Sequence, residues 1–112
     1  PRLIGLRRTQ ELVFENRELS AQEAVDWGLV TRTVAEGTAL EAALKQAQAM
    51  AEGPTMAYAS ARKMLQSTFS NGFIDQTNIE TEEIAANMSG HDGREGIDAF
   101  VNKRKPEFKG RH

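Results

Sequence analysis

Apolar residues recur along the chain at intervals of three and four, which predicts a protein built mainly from α-helices. The clearest stripes are Leu40, Ala43, Leu44, Ala47 and Met50, then Ala57, Ala61, Met64 and Leu65, and finally Ile97, Phe100 and Val101. The pattern predicts six helices, near residues 6–15, 21–27, 39–52, 54–70, 74–89 and 93–104, and an extended tail from Lys105. Residues 29–34, LVTRTV, alternate as a short extended segment does. A strand there needs a pairing partner from outside this chain, because no other strand is predicted.

The sequence contains three N-capping patterns, each a small polar residue followed three positions later by glutamate. The pairs are Ser20 with Glu23, Thr38 with Glu41, and Asp92 with Glu95. In each pair, the first side chain can accept an amide hydrogen that the first turn leaves unpaired, while the glutamate reaches back. We therefore expect a capped helix after each pair.

Glycines mark the predicted helix ends. Gly28, Gly53 and Gly72 each follow a periodic segment, and a glycine can close a helix in the left-handed conformation. Pro54 then suits the first turn of the next helix. Asn16 stands in a turn where a left-handed residue is also expected, which asparagine tolerates because its side chain bonds locally.

Composition limits the size and the class of the protein. A chain of 112 residues is one domain's worth of material, and 39% hydrophobic residues is a lean supply for a core that stands alone. Some apolar helix faces are thus expected to need a partner. The net charge of -2 favours neither nucleic acid nor a membrane surface, and no apolar run approaches the roughly 20 residues of a membrane span. The absence of cysteine fits a reducing compartment such as the cytoplasm.

No catalytic set is visible in the residues. His91 precedes a predicted helix cap and His112 is the last residue, so neither is placed as a base beside a nucleophile. Glu80, Glu82 and Glu83 form the densest acidic group, but their polar neighbours indicate a solvated helix face. Glycine-rich loops of the phosphate-binding type are absent from the sequence. The basic run 103–111, KRKPEFKGR, either binds an anionic ligand or keeps the terminus soluble. From its residues alone, the chain is a helical domain with a basic tail.

The order of the motifs is more informative than any one of them. The run PRLIGLRRTQELVFENRELSAQEAVDWGLVTRTV, the alanine-rich helices of ALEAALKQAQAMAEGPTMAYASARKML and the closing EGIDAFVNKRKPEFKG resemble the second half of an enoyl-CoA hydratase/isomerase (crotonase-type) subunit. The likeness covers essentially all of residues 1–112, which would form its C-terminal helical region for oligomerisation and the CoA pocket, with the N-terminal spiral core absent. Asn16 and Glu15 depart from the family's usual glycine and threonine.

The resemblance implies an enzyme that stabilises the enolate of a coenzyme A thioester with two backbone amides, while carboxylates move protons. In the family, both amides and the acids lie upstream of the PRLIG-like block, so no residue here is assigned a catalytic role. An acyl-CoA substrate, no covalently bound cofactor or metal, and assembly as a trimer or a dimer of trimers are further expectations.

Two binding residues are implied by the closing motif. In the family, the aromatic of the AF pair and the lysine of the KR pair contact the adenosine end of CoA bound to a neighbouring subunit, and Phe100 and Lys103 match these positions. Three residues apart on the predicted helix, they would project from nearly the same side. Phe100 could instead be core, and Lys103 could merely complement the helix dipole.

Alternatives to a hydratase or isomerase remain open on the sequence. A helical assembly module that is not an enzyme, with the likeness as ancestry only, is one. A ring-epoxide isomerase of phenylacetyl-CoA breakdown is another, because the ending KRKPEFKG is common among those enzymes.

Overall fold

The computed structural model describes residues 1–111 and contains, in that range, six α-helices and no β-strand. The helices are α1 Leu6–Glu15, α2 Ala21–Asp26, α3 Ala39–Ala51, α4 Thr55–Ser67, α5 Phe73–Ser89 and α6 His91–Val101. The chain forms two compact units, one from Pro1 to Ala42 and the other from Ala43 onward. The mainly helical fold class and the number of helices are confirmed.

The first unit is organised by local capping chemistry. Asn16 ends α1 in the left-handed conformation, with φ 48° and ψ 38°, as expected. At the start of α2 the capping box is complete: the amide of Glu23 donates to Oγ of Ser20 at 3.1 Å, and the amide of Ser20 donates to the Glu23 carboxylate at 3.1 Å. Gly28 follows α2 with φ +74°, which confirms its predicted left-handed turn.

An arginine pair encloses Trp27 just after α2. The guanidinium carbons of Arg8 and Arg17 lie 5.1 and 5.0 Å from the centre of the indole ring, within the range of cation–π attraction. Arg17 also pairs with Glu11 at 2.6 Å and Glu23 at 3.1 Å, and so joins α1 to α2. The hydrogen bonds that Arg17 donates to Glu11 and then to Glu23 raise the pKa of Arg17, whereas hydrogen bonds donated by the Ser20 amide and by Arg17 lower the pKa of Glu23.

Residues 29–34 form no strand in this structure; the segment is irregular and exposed. Within residues 1–111, this segment has no neighbouring strand with which to pair its backbone groups. The amides of Leu29 and Val30 instead donate to the carbonyl of Ala24, at 2.8 and 3.2 Å.

The second unit packs α4 against α5 and α5 against α6. Lys63 of α4 reaches Glu83 of α5 at 2.6 Å, a bond that raises the pKa of Lys63. Nearer the start of α5, the side-chain amide of Gln76 donates to the carbonyl of Met64 at 3.1 Å. The side-chain oxygen of Gln76 accepts a hydrogen bond from Asn71 at 3.0 Å. Side-chain hydrogen bonds therefore supplement apolar packing between these two helices.

Several predicted helix boundaries are wrong. Gly53 and Gly72 are not left-handed, and Pro54 is the N-cap of α4 rather than a residue of its first turn. The sixth helix begins at His91 with Gly90 as N-cap, two residues before the predicted start, and ends at Val101 rather than near residue 104. Asp92 is therefore inside the first turn of α6 and does not cap it.

Little apolar surface is buried within residues 1–111. The only buried hydrophobic residues in that range are Ala24 and Ala99, and Phe14, Leu40 and Phe73 are 78%, 72% and 82% exposed. No helix among the described residues is both long and apolar enough to span a bilayer.

Candidate functional site

An apolar groove of about 400 Å³ opens in the second unit between the start of α4, the end of α5, α6 and the C-terminal tail. Its apolar walls are formed by Pro54, Met56, Ala57, Met88, Ile97, Phe100 and Phe108. Phe100 is 86% exposed, which excludes the interpretation of this ring as core within the described residues. An exposed aromatic side chain on the edge of a concave apolar surface is a common element of ligand sites.

Two glycines of α6 line the groove, and sterics require a glycine only at position 93. A Cβ on Gly93 would lie 2.1 Å from the carbonyl oxygen of Asn87 and 2.7 Å from Cα of Met88, so no other residue fits against the end of α5. At Gly96, an added Cβ would meet only the ring of Phe108, at 3.5 Å. Gly93 thus sets the approach of α6 to α5, and Gly96 lies beneath the aromatic ring of the tail.

The tail is held on α6 by Asp92, a 4% exposed residue. Its carboxylate accepts the amide hydrogens of Lys109 at 2.8 Å and Gly110 at 2.7 Å, and Nδ1 of His91 lies 3.1 Å away. These bonds, above all the one from Lys109, lower the pKa of Asp92. The charge of the acid is satisfied by backbone donors 17 and 18 residues away, instead of by its own helix.

Glu95, one turn further along α6, holds the beginning of the tail. It accepts two hydrogen bonds from the Arg104 guanidinium, at 2.6 and 2.9 Å, and a third from the amide of Glu107 at 2.7 Å. These hydrogen bonds lower the pKa of Glu95 from 4.5 to about 2, and the contribution of Arg104 is larger than that of the Glu107 amide. Arg104 also pairs with Asp98, and the two carboxylates raise its pKa.

Lys103 does not lie on the closing helix as predicted. It is the second residue after the helix end, exposed, and has φ +52°. Its amide donates to the carbonyl of Phe100 at 3.2 Å, and the amide of Arg104 donates to the carbonyl of Ala99 at 3.0 Å. This is the hydrogen-bond pattern of a Schellman motif, with Lys103 at the position usually taken by glycine. Phe100 and Lys103 are therefore joined by a backbone bond, although not as neighbours on one helix face.

Other candidate residues do not assemble into a site. The acidic group of α5 is divided, because Glu83 pairs with Lys63 while Glu80 accepts a bond from Gln76. Among residues 1–111, no three histidine, aspartate or glutamate side chains cluster as metal ligands do. Nδ1 of His91 lies next to the Asp92 carboxylate, at 3.1 Å, and His112 is outside the described residues.

Sequence reasoning missed the ion-pair group next to the predicted pair, in which Arg104 binds Glu95 and Asp98. The signal was available in part, since carboxylates at positions 95 and 98 precede the basic run by one or two turns. What the pattern could not supply is the reversal of the chain at Lys103, which directs Arg104 back along α6.

Comparison with known proteins agrees with this architecture. A family model described as enoyl-CoA hydratase/isomerase matches residues 1–111. The chain is 30% identical to the 1,2-epoxyphenylacetyl-CoA isomerase of Escherichia coli over 111 aligned residues. The alignment covers 99% of this chain and 42% of that protein. The chain is also 30% identical to the enoyl-CoA isomerase/hydratase fer4 of Mycosarcoma maydis, over 99% of the chain and 40% of that protein.

Solved structures extend the likeness to the fold. An enoyl-CoA hydratase from Polaromonas sp. JS666 superposes with a TM-score of 0.90 and 30% identity, over 96% of this chain and 42% of that one. The chain thus spans about two-fifths of the length of the proteins that it matches. By a family match that covers residues 1–111, and by the same arrangement of helices, the chain belongs to the enoyl-CoA hydratase/isomerase family.

Proposed function

We propose that the chain is the C-terminal segment of an enzyme that acts on coenzyme A thioesters, and that Phe100 and Lys103 contact the adenosine end of the bound CoA. The proposal is carried by one observation: an 86% exposed phenylalanine at the edge of an apolar groove, joined through its backbone to an exposed lysine. An adenine ring can lie against the aromatic face, and an ammonium group provides a point charge for a phosphate.

Electrostatics supports the same assignment. Asp98 and Glu95, the carboxylates on the adjacent turns of α6, are both bound by Arg104. No side-chain hydrogen bond or ion pair of Lys103 occurs within residues 1–111, so its ammonium group can meet an external anion. A phosphate that displaces only water from an exposed lysine binds without breaking an internal pair.

The test is substitution of Lys103 in the full-length protein, with coenzyme A and its 3′-dephospho form as the two probes. Lys103→Ala should weaken the binding of CoA esters by roughly tenfold, about 1.4 kcal/mol, with kcat nearly unchanged. Loss of binding with intact chemistry is the signature of a contact remote from the reacting atoms. Lys105→Ala is the matched control, because it removes one cation from the same exposed tail.

Two results would contradict the assignment. If Lys103→Ala lowers kcat at saturating substrate, the lysine acts on the chemistry. If the ratio of the two binding constants is unchanged, Lys103 does not meet the 3′-phosphate and is only a cation beyond the end of a helix.

The segment by itself is expected to have no enzymatic activity. Residues 1–112 alone should show no turnover of crotonyl-CoA, since in the family the oxyanion donors lie on the other part of the subunit. Turnover that survives repurification and active-site titration would refute this.

Assembly into homo-oligomers, trimers or dimers of trimers, is supported by the apolar side chains of α3 and α5 that residues 1–111 leave exposed, such as Leu40, Leu44 and Phe73. Sedimentation should show self-association at tens of micromolar, on the order expected for weak helix packing. A well-folded monomer at that concentration would count against it, and would favour a separate binding module.

A ring-opening isomerase is a second candidate for the whole protein. Its support is the 30% identity to the E. coli protein, which is named for 1,2-epoxyphenylacetyl-CoA. Assays of the full-length protein with enoyl-CoA and epoxyphenylacetyl-CoA substrates would separate the two reactions.

A further inference from the structure

Lys103 adopts a backbone conformation that lysine normally avoids. Its φ of +52° is left-handed, and Asn16 is the only other non-glycine residue of positive φ among residues 1–111. The position is C′ of a Schellman motif, where glycine is the usual residue because it has no Cβ to clash with the backbone. A strained residue that persists at such a site points to a role for its side chain, provided that its surroundings hold it in place.

The surroundings of Lys103 do hold it, from both sides. On the helix side, the amide of Asn102 donates to the carbonyl of Asp98 at 2.9 Å, and the Asn102 side-chain amide donates to the same carbonyl at 3.0 Å. On the tail side, Arg104 is bound to Glu95 by two parallel hydrogen bonds and to Asp98 by a further one. The residue between these two anchors has little freedom to return to a right-handed conformation.

The Arg104 pairs are suited to act as an anchor. A guanidinium that meets a carboxylate through two parallel bonds defines an orientation, which a single ammonium contact does not. The side chain of Glu95 is 18% exposed and that of Arg104 is 40% exposed, so the pair is partly sheltered from solvent. Arg104 also occupies the carboxylates of Glu95 and Asp98, which lie on the turns of α6 that precede Lys103.

We propose that Arg104 is a positioning residue for Lys103: its ion pairs with Glu95 and Asp98 hold Lys103 in the left-handed conformation, and keep its ammonium group free for the 3′-phosphate of CoA. The inference rests on the proposed function of Lys103. In this arrangement, the conformational cost at Lys103 is offset by the ion pairs of its neighbour, and the site has its cation in place before the ligand arrives.

The experiment measures the binding of coenzyme A and 3′-dephospho-CoA to the full-length protein by titration calorimetry, and reports the ratio of the two dissociation constants. Arg104→Gln should remove most of a roughly tenfold preference for CoA, and leave the affinity for the dephospho form and kcat at saturating substrate nearly unchanged. Arg104→Lys should restore only part of the preference, because an ammonium group cannot form the two parallel bonds. Asp98→Asn, which keeps the Glu95 pair, is a milder variant that should lower the ratio less.

A double-variant cycle separates positioning from a direct effect. In the Lys103→Ala background, Arg104→Gln should cause no further change in the ratio, because the residue through which Arg104 acts is gone. A further loss there would show that Arg104 meets the phosphate itself, and would overturn the inference. An unchanged ratio in the single variant Arg104→Gln would overturn it as well.

A final variant tests the strain. Lys103→Gly should raise the midpoint of thermal unfolding while it abolishes the preference for CoA, since glycine accepts the left-handed conformation without cost. A lower midpoint would show that no strain is stored at this residue. If Lys103→Ala leaves the ratio unchanged, the proposed function fails; if Lys103→Ala lowers it and Arg104→Gln does not, the positioning role alone fails.

Discussion

Replacement of Gly93 by alanine should separate α6 from α5, whereas the same replacement at Gly96 should not. A Cβ at position 93 would lie 2.1 Å from the Asn87 carbonyl oxygen, and 2.7 and 2.8 Å from Cα and the carbonyl oxygen of Met88. All three atoms belong to the backbone of α5, which cannot rotate away as a side chain can. Relief therefore requires a shift of the helices by roughly 1.4 Å, because carbon and oxygen atoms pack at about 3.5 Å.

The magnitude follows from two opposing contributions. Overpacking of this kind costs about 1–3 kcal/mol or more. Alanine in a helix is favoured over glycine by about 1 kcal/mol, which offsets part of that cost. We expect Gly93→Ala to lower the free energy of unfolding by about 2 kcal/mol. At Gly96 the nearest atom is Cε1 of Phe108 at 3.5 Å, an ordinary contact, so Gly96→Ala should raise the free energy of unfolding by about 0.5–1 kcal/mol.

Urea denaturation, followed by circular dichroism, measures both variants against the natural protein. The two changes should have opposite signs, with a difference of about 2.5–3 kcal/mol between the variants. Equal stability of the two variants, or a Gly93→Ala protein at least as stable as the natural one, would refute the close approach of α6 to the end of α5. Because Gly96 shares the helix and the residue type, a general effect of alanine cannot produce the difference.

Three further outcomes are expected. The pKa of Glu95 falls from 4.5 to about 2 on folding, so its stabilising effect is complete above pH 4.5 and is lost as the pH falls toward 2. The amide resonance of Glu107 should therefore show a titration step with its midpoint near pH 2, and that step should be absent in Glu95→Gln. Ser20→Ala removes a capping-box acceptor and should lower the free energy of unfolding by about 1 kcal/mol in chemical denaturation. Ser20→Asp keeps an acceptor at the N-cap and should retain most of that stability, so equal losses in the two variants would exclude the cap. Arg17→Lys keeps the charge but removes the guanidinium group that lies over the indole ring, so the fluorescence of Trp27 should change as it does in Arg17→Ala. An unchanged spectrum in both variants would contradict the contact between Arg17 and the ring.

Elements whose causes are local could be predicted from the sequence. The capping box of Ser20 and Glu23, the left-handed turns at Asn16 and Gly28 and the six amphipathic helices all depend on residues within one or two turns of one another. Their chemistry can therefore be read along the chain. The order of the motifs also identified the family, because the order and spacing of the three quoted runs are properties of the sequence alone.

The conformation of the closing motif, in contrast, depends on contacts between distant segments of the chain. Asp92 has the sequence signature of a helix cap, yet its carboxylate binds amides 17 and 18 residues away, since the tail folds back and offers two donors that the first turn does not. Gly93 reads as a poor helix former until the approach of α5 shows that no side chain fits there. Lys103 reads as one more residue of a helix, yet it lies beyond the end of α6 with φ +52°, where the amides of Lys103 and Arg104 donate the two hydrogen bonds of the Schellman motif. Propensity acts over a few residues, and contacts between distant segments override it where they are stronger.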